Sequence, residues 1–119
     1  MPQIDVLFKG DGIVNKIDQK RDVFVAIADP TRRKLIRILA EAEEMPLHKL
    51  TEQFQLGRTA VSKHLTILKE ANLVINRKAG RETRYRLNPA PLKEVKDWLS
   101  FYEKFWNERA ILLKNLLED

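Results

Sequence analysis

The chain has no cysteine, only two histidines and only four glycines among its 119 residues. Each scarcity excludes something. Without thiols there is no disulfide framework, no thiolate metal site, no thiol redox switch and no cysteine nucleophile. His48 and His64 stand too far apart in sequence to form a zinc constellation with so few other ligands. The glycines do not form a phosphate-binding loop, and no GxSxG, HExxH or paired-carboxylate pattern occurs. The serines and threonines have no evident base partner, so the sequence does not read as an enzyme. No apolar run approaches the roughly 18–20 residues that a membrane span needs. The N-terminus lacks the successive zones of a signal peptide. The expectation is a cytoplasmic protein without membrane contact.

What is present suits one folded domain. Apolar residues make up 44% of the chain and charged residues 33%, which is not the composition of a disordered polymer. Residues 1–12 show no helical period, and Gly10, Asp11 and Gly12 look like a break. They are read as a flexible or extended arm preceding a domain over 13–119. The net charge is +5. It is not evenly spread: from Gly57 to Leu87 there are eight Lys/Arg against two acidic residues, a local +6. Clustered positive charge of this kind favours a polyanionic partner.

Apolar spacing predicts a helix over about Ile13–Ala28, through Ile13, Ile17, Phe24 and Ile27. Asp29 then caps a second helix whose first position is Pro30 and which runs to about Ala42. Glu43 to Pro46 reads as a connection. Leu47, Leu50 and Phe54 mark a short third helix, and Gln55-Leu56-Gly57 a tight turn. A fourth helix covers about Arg58–Ala71, with Asn72 as the left-handed residue that ends it. Two extended runs, Val74–Lys78 and Thr83–Leu87, suggest a hairpin around Ala79-Gly80-Arg81-Glu82. A single long helix is expected over about Leu92–Leu117. Its apolar stripe, wider than a core this small needs, makes Leu99, Tyr102, Trp106, Leu113 and Leu116 candidates for a dimer seam, together with Ile17 and Phe24 of the first helix. The fold class is mainly α with a small β-hairpin, in the order ααααββα.

Two helices joined by a short turn form a unit that reads DNA. Val61, Leu65 and Leu68 would anchor the fourth helix. Its other face would present Arg58, Thr59, Ser62, Lys63 and Thr66 to the major groove, small hydroxyls allowing close approach and the cations reaching bases or phosphates. Arg77, Lys78, Arg81, Arg84 and Arg86 on the hairpin would engage phosphate or the minor groove. Arg32, Arg33 and Lys34 either contact flanking phosphates or pair with Asp29 and the acidic residues around Glu41–Glu44. His64 reads as a ring hydrogen-bonded inside the helix-turn-helix.

The runs Ala28–Ile36, Arg58–Val74 and Arg77–Leu87 resemble, in that order, the second helix, recognition helix and wing of the ArsR/SmtB family of winged-helix repressors. The resemblance covers roughly residues 15 to 117. It implies a homodimer paired through its terminal helices, acting as a sequence-specific repressor on a pseudo-palindromic operator of double-stranded DNA. At Asn72 many relatives carry glycine, and asparagine meets the same backbone need. The departure that matters concerns metal. Family members that sense metal or arsenic use cysteines on the third helix, where this chain has Glu44–Leu50. Another family site uses Asp and His on the last helix, which here has no histidine. The expectation is therefore a repressor without metal or other cofactor. The alternatives are a metal-responsive repressor using His48 and carboxylates, or a protein-interaction module docking through the aromatic C-terminal helix. No residue set specifies a small-molecule effector.

Overall fold

A computed structural model describes residues 22–118. The expected arm, Ile17 and most of the helix expected at Ile13–Ala28 lie outside the described residues. Within the described residues that expectation needs correcting: helix α1 is only Val23–Ala26 and starts afresh at Asp22, whose backbone is extended (φ −69°, ψ 138°) and whose side chain caps it by accepting the Phe24 N–H at 3.0 Å. Helix α2 follows at Pro30–Ala40. Asp29 accepts from the N–H groups of Thr31 (2.7 Å) and Arg32 (3.2 Å), and Pro30 sits where a missing N–H costs nothing. Burial alone would raise the Asp29 carboxyl. The two backbone hydrogen bonds, with His64 and Arg32 nearby, outweigh it and hold the group below its ordinary value.

The connection expected at Glu43–Pro46 contains a short strand, β1 (Met45–Pro46). It pairs antiparallel with β3, Met45 opposite Tyr85 and Pro46 opposite Arg84. The hairpin is thus part of a three-stranded sheet in the order β1-β3-β2. Proline is tolerated because β1 is an edge strand, where a missing N–H need not break a ladder. Helix α3 (Leu47–Glu52) and helix α4 (Arg58–Glu70) come next. Strands β2 (Val74–Ala79) and β3 (Glu82–Leu87) then turn back through Gly80 and Arg81. Positive φ at Gly80 (65°) and not at Arg81 marks a two-residue turn with glycine first, the geometry that matches strand twist.

Helix α4 ends as its sequence predicts. Asn72 takes φ 63°, the Leu73 N–H bonds the Leu68 carbonyl, and the Asn72 N–H bonds the Lys69 carbonyl, both at 2.9 Å. These are the two bonds of a Schellman motif, closed by the buried Leu68 and Leu73.

One leucine-rich cluster holds these elements. Leu35 and Leu39 of α2, Leu50 of α3, and Val61, Leu65 and Leu68 of α4 are almost wholly buried, with Leu73, Val74 and Tyr85 beside them. The expected long C-terminal helix is two helices, α5 (Leu92–Phe101) and α6 (Glu103–Glu118), separated at Tyr102. There the N–H of Tyr102 bonds Leu99 and the N–H of Phe105 bonds Tyr102, both tight i−3 contacts that interrupt the regular ladder. Periodicity could not reveal this, because one helical turn of the wrong pitch leaves the three-and-four spacing intact. Helix α5 leans on the core through Leu92 and Val95 and through an edge-to-face contact of Trp98 with Phe24 at 5.5 Å. No described helix is long and apolar enough to cross a membrane.

The cap generates a prediction. Asp29→Ala should cost about 1 kcal/mol of unfolding free energy at neutral pH. Because the folded carboxyl titrates below its unfolded value, its charge-dependent contribution is present above about pH 4 and lost as pH falls through the folded pKa. Urea melts of wild type and Asp29→Asn should therefore converge at acid pH. A gap that stays constant to pH 2 would rule out the carboxylate as the source.

Candidate nucleic-acid interface

The burial of Val61, Leu65 and Leu68 fixes which side of α4 faces outward. Arg58, Thr59, Lys63 and Thr66 are exposed, and Ser62 is half-buried. Arg58 and Lys63 make no ion pair or side-chain hydrogen bond among the described residues. The Thr66 hydroxyl donates to the Ser62 carbonyl at 3.0 Å, so it can only accept, or present its methyl, outward. Gly57, the N-cap, provides no side-chain cap, and space beside it is open. The first N–H groups of α4 are therefore uncapped by any side chain, an arrangement suited to an anion.

Cations of α2 hold this helix in place. The Arg32 guanidinium donates to the Ala26 carbonyl (Nε, 2.7 Å) and the Val25 carbonyl (Nη2, 3.4 Å) at the end of α1. Its Nη1 lies 3.1 Å from Nδ1 of His64. Since guanidinium can only donate, Nδ1 must accept, which puts the proton of a neutral ring on Nε2. The ring is therefore hydrogen-bonded as expected, but to Arg32 of α2 and not to a residue of the helix-turn-helix itself. Arg33 donates to the Ile27 carbonyl at 2.7 Å. Lys34 donates to the Gln53 carbonyl at 3.0 Å and stands 4.7 Å above the Phe54 ring, pinning the turn before α4. The hydrogen bonds of these three side chains go to carbonyls and one imidazole, not to carboxylates.

Strand alternation divides the hairpin cations. Arg77 and Arg84 are cross-strand partners on the sheet face away from Tyr85, and Arg86 lies on that same face opposite Ile75. Lys78 pairs with Thr83 on the other face, its Nζ 3.4 Å from the hydroxyl. Arg81 occupies the turn, exposed. Glu44, just before β1, accepts from Arg77 through Nε (2.7 Å) and Nη2 (2.8 Å), and from Arg84 Nε at 3.1 Å. Arg84 Nη1 also donates to Glu82 at 2.8 Å. The hydrogen bond from Arg77, then the charges of Arg77 and Arg84, hold the Glu44 carboxyl below its usual range. Sequence reasoning gave Glu44 no role here. It stands 33 residues from Arg77 and 40 from Arg84, and only the unrecognised strand β1 brings them together.

His48 Nδ1 lies 3.9 Å from Glu82, a carboxylate already engaged by Arg84. Among the described residues, no three metal-ligating side chains converge. On α5 and α6 the candidate seam residues are mostly open to solvent, from 39% for Leu99 to 65% for Leu116, with Trp106 and Leu113 between. Phe24 and Tyr102 are half-buried against Trp98.

A helix-turn-helix pinned by its apolar side, followed by a hairpin and a C-terminal helix, is the architecture of a winged-helix transcriptional regulator. Comparison with known proteins narrows the class. The family profile for arsR-type bacterial regulatory proteins matches residues 29–76. The transcriptional repressor SdpR of Bacillus subtilis is 35% identical over 88 residues, 73% of this chain and 97% of that protein. The arsenic resistance transcriptional regulator ArsR1 of Pseudomonas putida is 34% identical over 65% of this chain and 57% of its own length. Among solved structures, an ArsR-like transcriptional regulator from Rhodococcus superposes with a TM-score of 0.63 at 32% identity, covering 82% of this chain and 88% of that one. The chain belongs to the ArsR family, whose members are DNA-binding transcriptional regulators and not enzymes.

The role given to Arg32 can be tested by stability. Arg32→Met removes three hydrogen bonds, among them the 2.7 Å bond to the Ala26 carbonyl, while Val25 keeps the Ala28 N–H, so it should cost about 1–3 kcal/mol. Arg33→Met, which loses one exposed bond, should cost less than about 1 kcal/mol. Urea denaturation that reverses this order would remove Arg32 as the tether of α4.

Proposed function

We propose that the protein is a sequence-specific transcriptional repressor that binds a pseudo-palindromic operator as a homodimer, in the cytoplasm and without metal. One observation carries the DNA reading. Arg58 and Lys63 project without partners from a helix whose first amides are uncapped by any side chain and whose opposite side is buried. Exposed cations left unneutralised beside free N–H donors are matched to a phosphate backbone. Thr59, Ser62 and Lys63 would read base edges, with Thr66 offering its methyl or a lone pair. Lys78, Arg81 and Arg86 would carry the first phosphate contacts of the wing, since Arg77 and Arg84 begin in ion pairs.

The dimer reading rests on the apolar surface of α5 and α6. Among the described residues neither helix has a fully buried side chain, and Trp98, Leu99, Phe105, Trp106, Leu113 and Leu116 are exposed along them. Monomeric proteins seldom leave so long an apolar stripe in water. A second copy, pairing the same stripe about a two-fold axis, would cover it and set two recognition helices at a fixed spacing. Repression would then follow from occupancy of the operator, a reading supported by likeness to a Bacillus protein named as a transcriptional repressor.

Three outcomes are expected. A dimer engaging about six to ten phosphates should lose roughly 10³–10⁵ in affinity between 50 and 200 mM salt. Lys63→Ala should change base preference across a panel of mutated operators, whereas Arg81→Ala should weaken every sequence alike. A flat salt response, or identical behaviour of the two variants, would defeat the assignment. Leu113→Asp should yield monomers by analytical ultracentrifugation at micromolar concentration and lose operator binding, and a persistent dimer would displace the seam from α6.

A further inference from the structure

The outer face of the wing carries three arginines and one carboxylate that does not belong to the hairpin. Arg77 presents a whole edge of its guanidinium, Nε and Nη2, to Glu44, and Arg84 adds its Nε to the same carboxylate. Planar, bidentate contact of this kind is also how arginine grips a phosphate. Arg86 lies beside them with no acidic partner among the described residues. Two shallow cavities adjoin the cluster. One, of about 310 Å³, is lined by Glu44, Ile75, Asn76, Arg77 and Arg86; the other, of about 290 Å³, by Glu43, Glu44, Arg77 and Arg86. Both are roomy enough for a phosphodiester group, and both have Glu44 in their wall.

We propose that Arg77 and Arg86 form a seat for a backbone phosphodiester, and that Glu44 occupies this seat in the free protein and must release Arg77 when nucleic acid binds. The inference rests on the DNA-binding reading above and extends it to a residue outside both the recognition helix and the hairpin. The physical reason is charge. A phosphate approaching Arg77 while Glu44 stays in place meets a second anion at hydrogen-bonding distance from the same guanidinium. Arg77 is 60% exposed while Glu44 is 21% and Arg84 31%, so the Arg77 contact is the one that solvent or a phosphate replaces at little cost. Glu82 remains on Arg84 throughout and keeps that side chain against the strand. The lowered titration of Glu44 agrees with a carboxylate that stays ionised and bound until it is displaced.

The consequence is a gain of affinity on removing a residue, which a purely structural role for Glu44 would not give. The probe is a mixed-sequence duplex of about 30 base pairs, titrated by fluorescence anisotropy with the full chain between roughly 50 and 200 mM salt, where backbone contacts dominate. Glu44→Gln keeps the shape of the side chain and removes its charge. It should bind about 3- to 10-fold more tightly than wild type at the lower salt, the scale of two exposed ion pairs. Its salt dependence should steepen by up to about 0.9 in log–log slope for each phosphate newly engaged. Arg77→Gln should weaken binding more in the Glu44→Gln background than in wild type, because only there is the guanidinium unopposed. Unchanged affinity in Glu44→Gln, weaker affinity, or equal effects of Arg77→Gln in both backgrounds would each overturn the proposal while leaving DNA binding intact. Wild-type protein that ignores the duplex even at the lowest salt would overturn the functional reading and this proposal with it.

Discussion

The packing of one side of α4 against Leu35, Leu39 and Leu50 is the interaction on which the rest of the molecule depends. Burial of a leucine or valine side chain is worth about 1.5–3 kcal/mol, and Val61, Leu65 and Leu68 are all buried. The hydrophobic term therefore decides the rotation of the helix about its axis without help from its polar side. That polar side is then free to be chosen for chemistry. The Schellman turn at Asn72 sends the chain straight into β2, so the hairpin's placement is inherited from the same helix. A packing fault under Leu65 would displace both groups of candidate DNA contacts together.

The cations of this chain fall into two populations that composition alone does not distinguish. Arg32, Arg33 and Lys34 are spent on carbonyls at α1, the residues after it and the turn before α4. Arg58, Lys63, Arg81 and Arg86 have no acidic partner among the described residues. Arg77 and Arg84 lie between, held by carboxylates at the surface. A helix and its adjacent turns leave carbonyls pointing outward at the C-terminal end, and arginine, with five donors, answers several at once. This explains why the first population clusters at the start of α2, close to α1. The ion pairs of Arg77 and Arg84 mean in turn that the excess of positive charge over Gly57–Leu87 overstates the number of side chains immediately ready for phosphate.

Much of this was legible in the amino-acid order. Asp29-Pro30 announces a capped helix, Asn72 a left-handed terminus, and the i, i+4, i+7 spacing of Val61, Leu65 and Leu68 the buried side of α4. In each case the signal is local, carried within a few residues of the feature it specifies. Strand β1 was hidden for the opposite reason. Two residues, one of them proline, have no period of their own and become a strand only because Tyr85 and Arg84 lie alongside. The Glu44 contacts were hidden with it. The break at Tyr102 escaped because tightening one turn changes the direction of a helix more than it changes which residues share a face.

Among the described residues, helix α6 buries none of its 16 side chains. An isolated helix of that length is marginal in water, because the cost of nucleation is barely repaid over four turns. Its winding gains little from the described core, so the last helix of the chain is the element whose order depends most on whatever covers its apolar side. Exposure of that side would therefore loosen this helix first, while the winged body, which keeps its own buried core, stays wound.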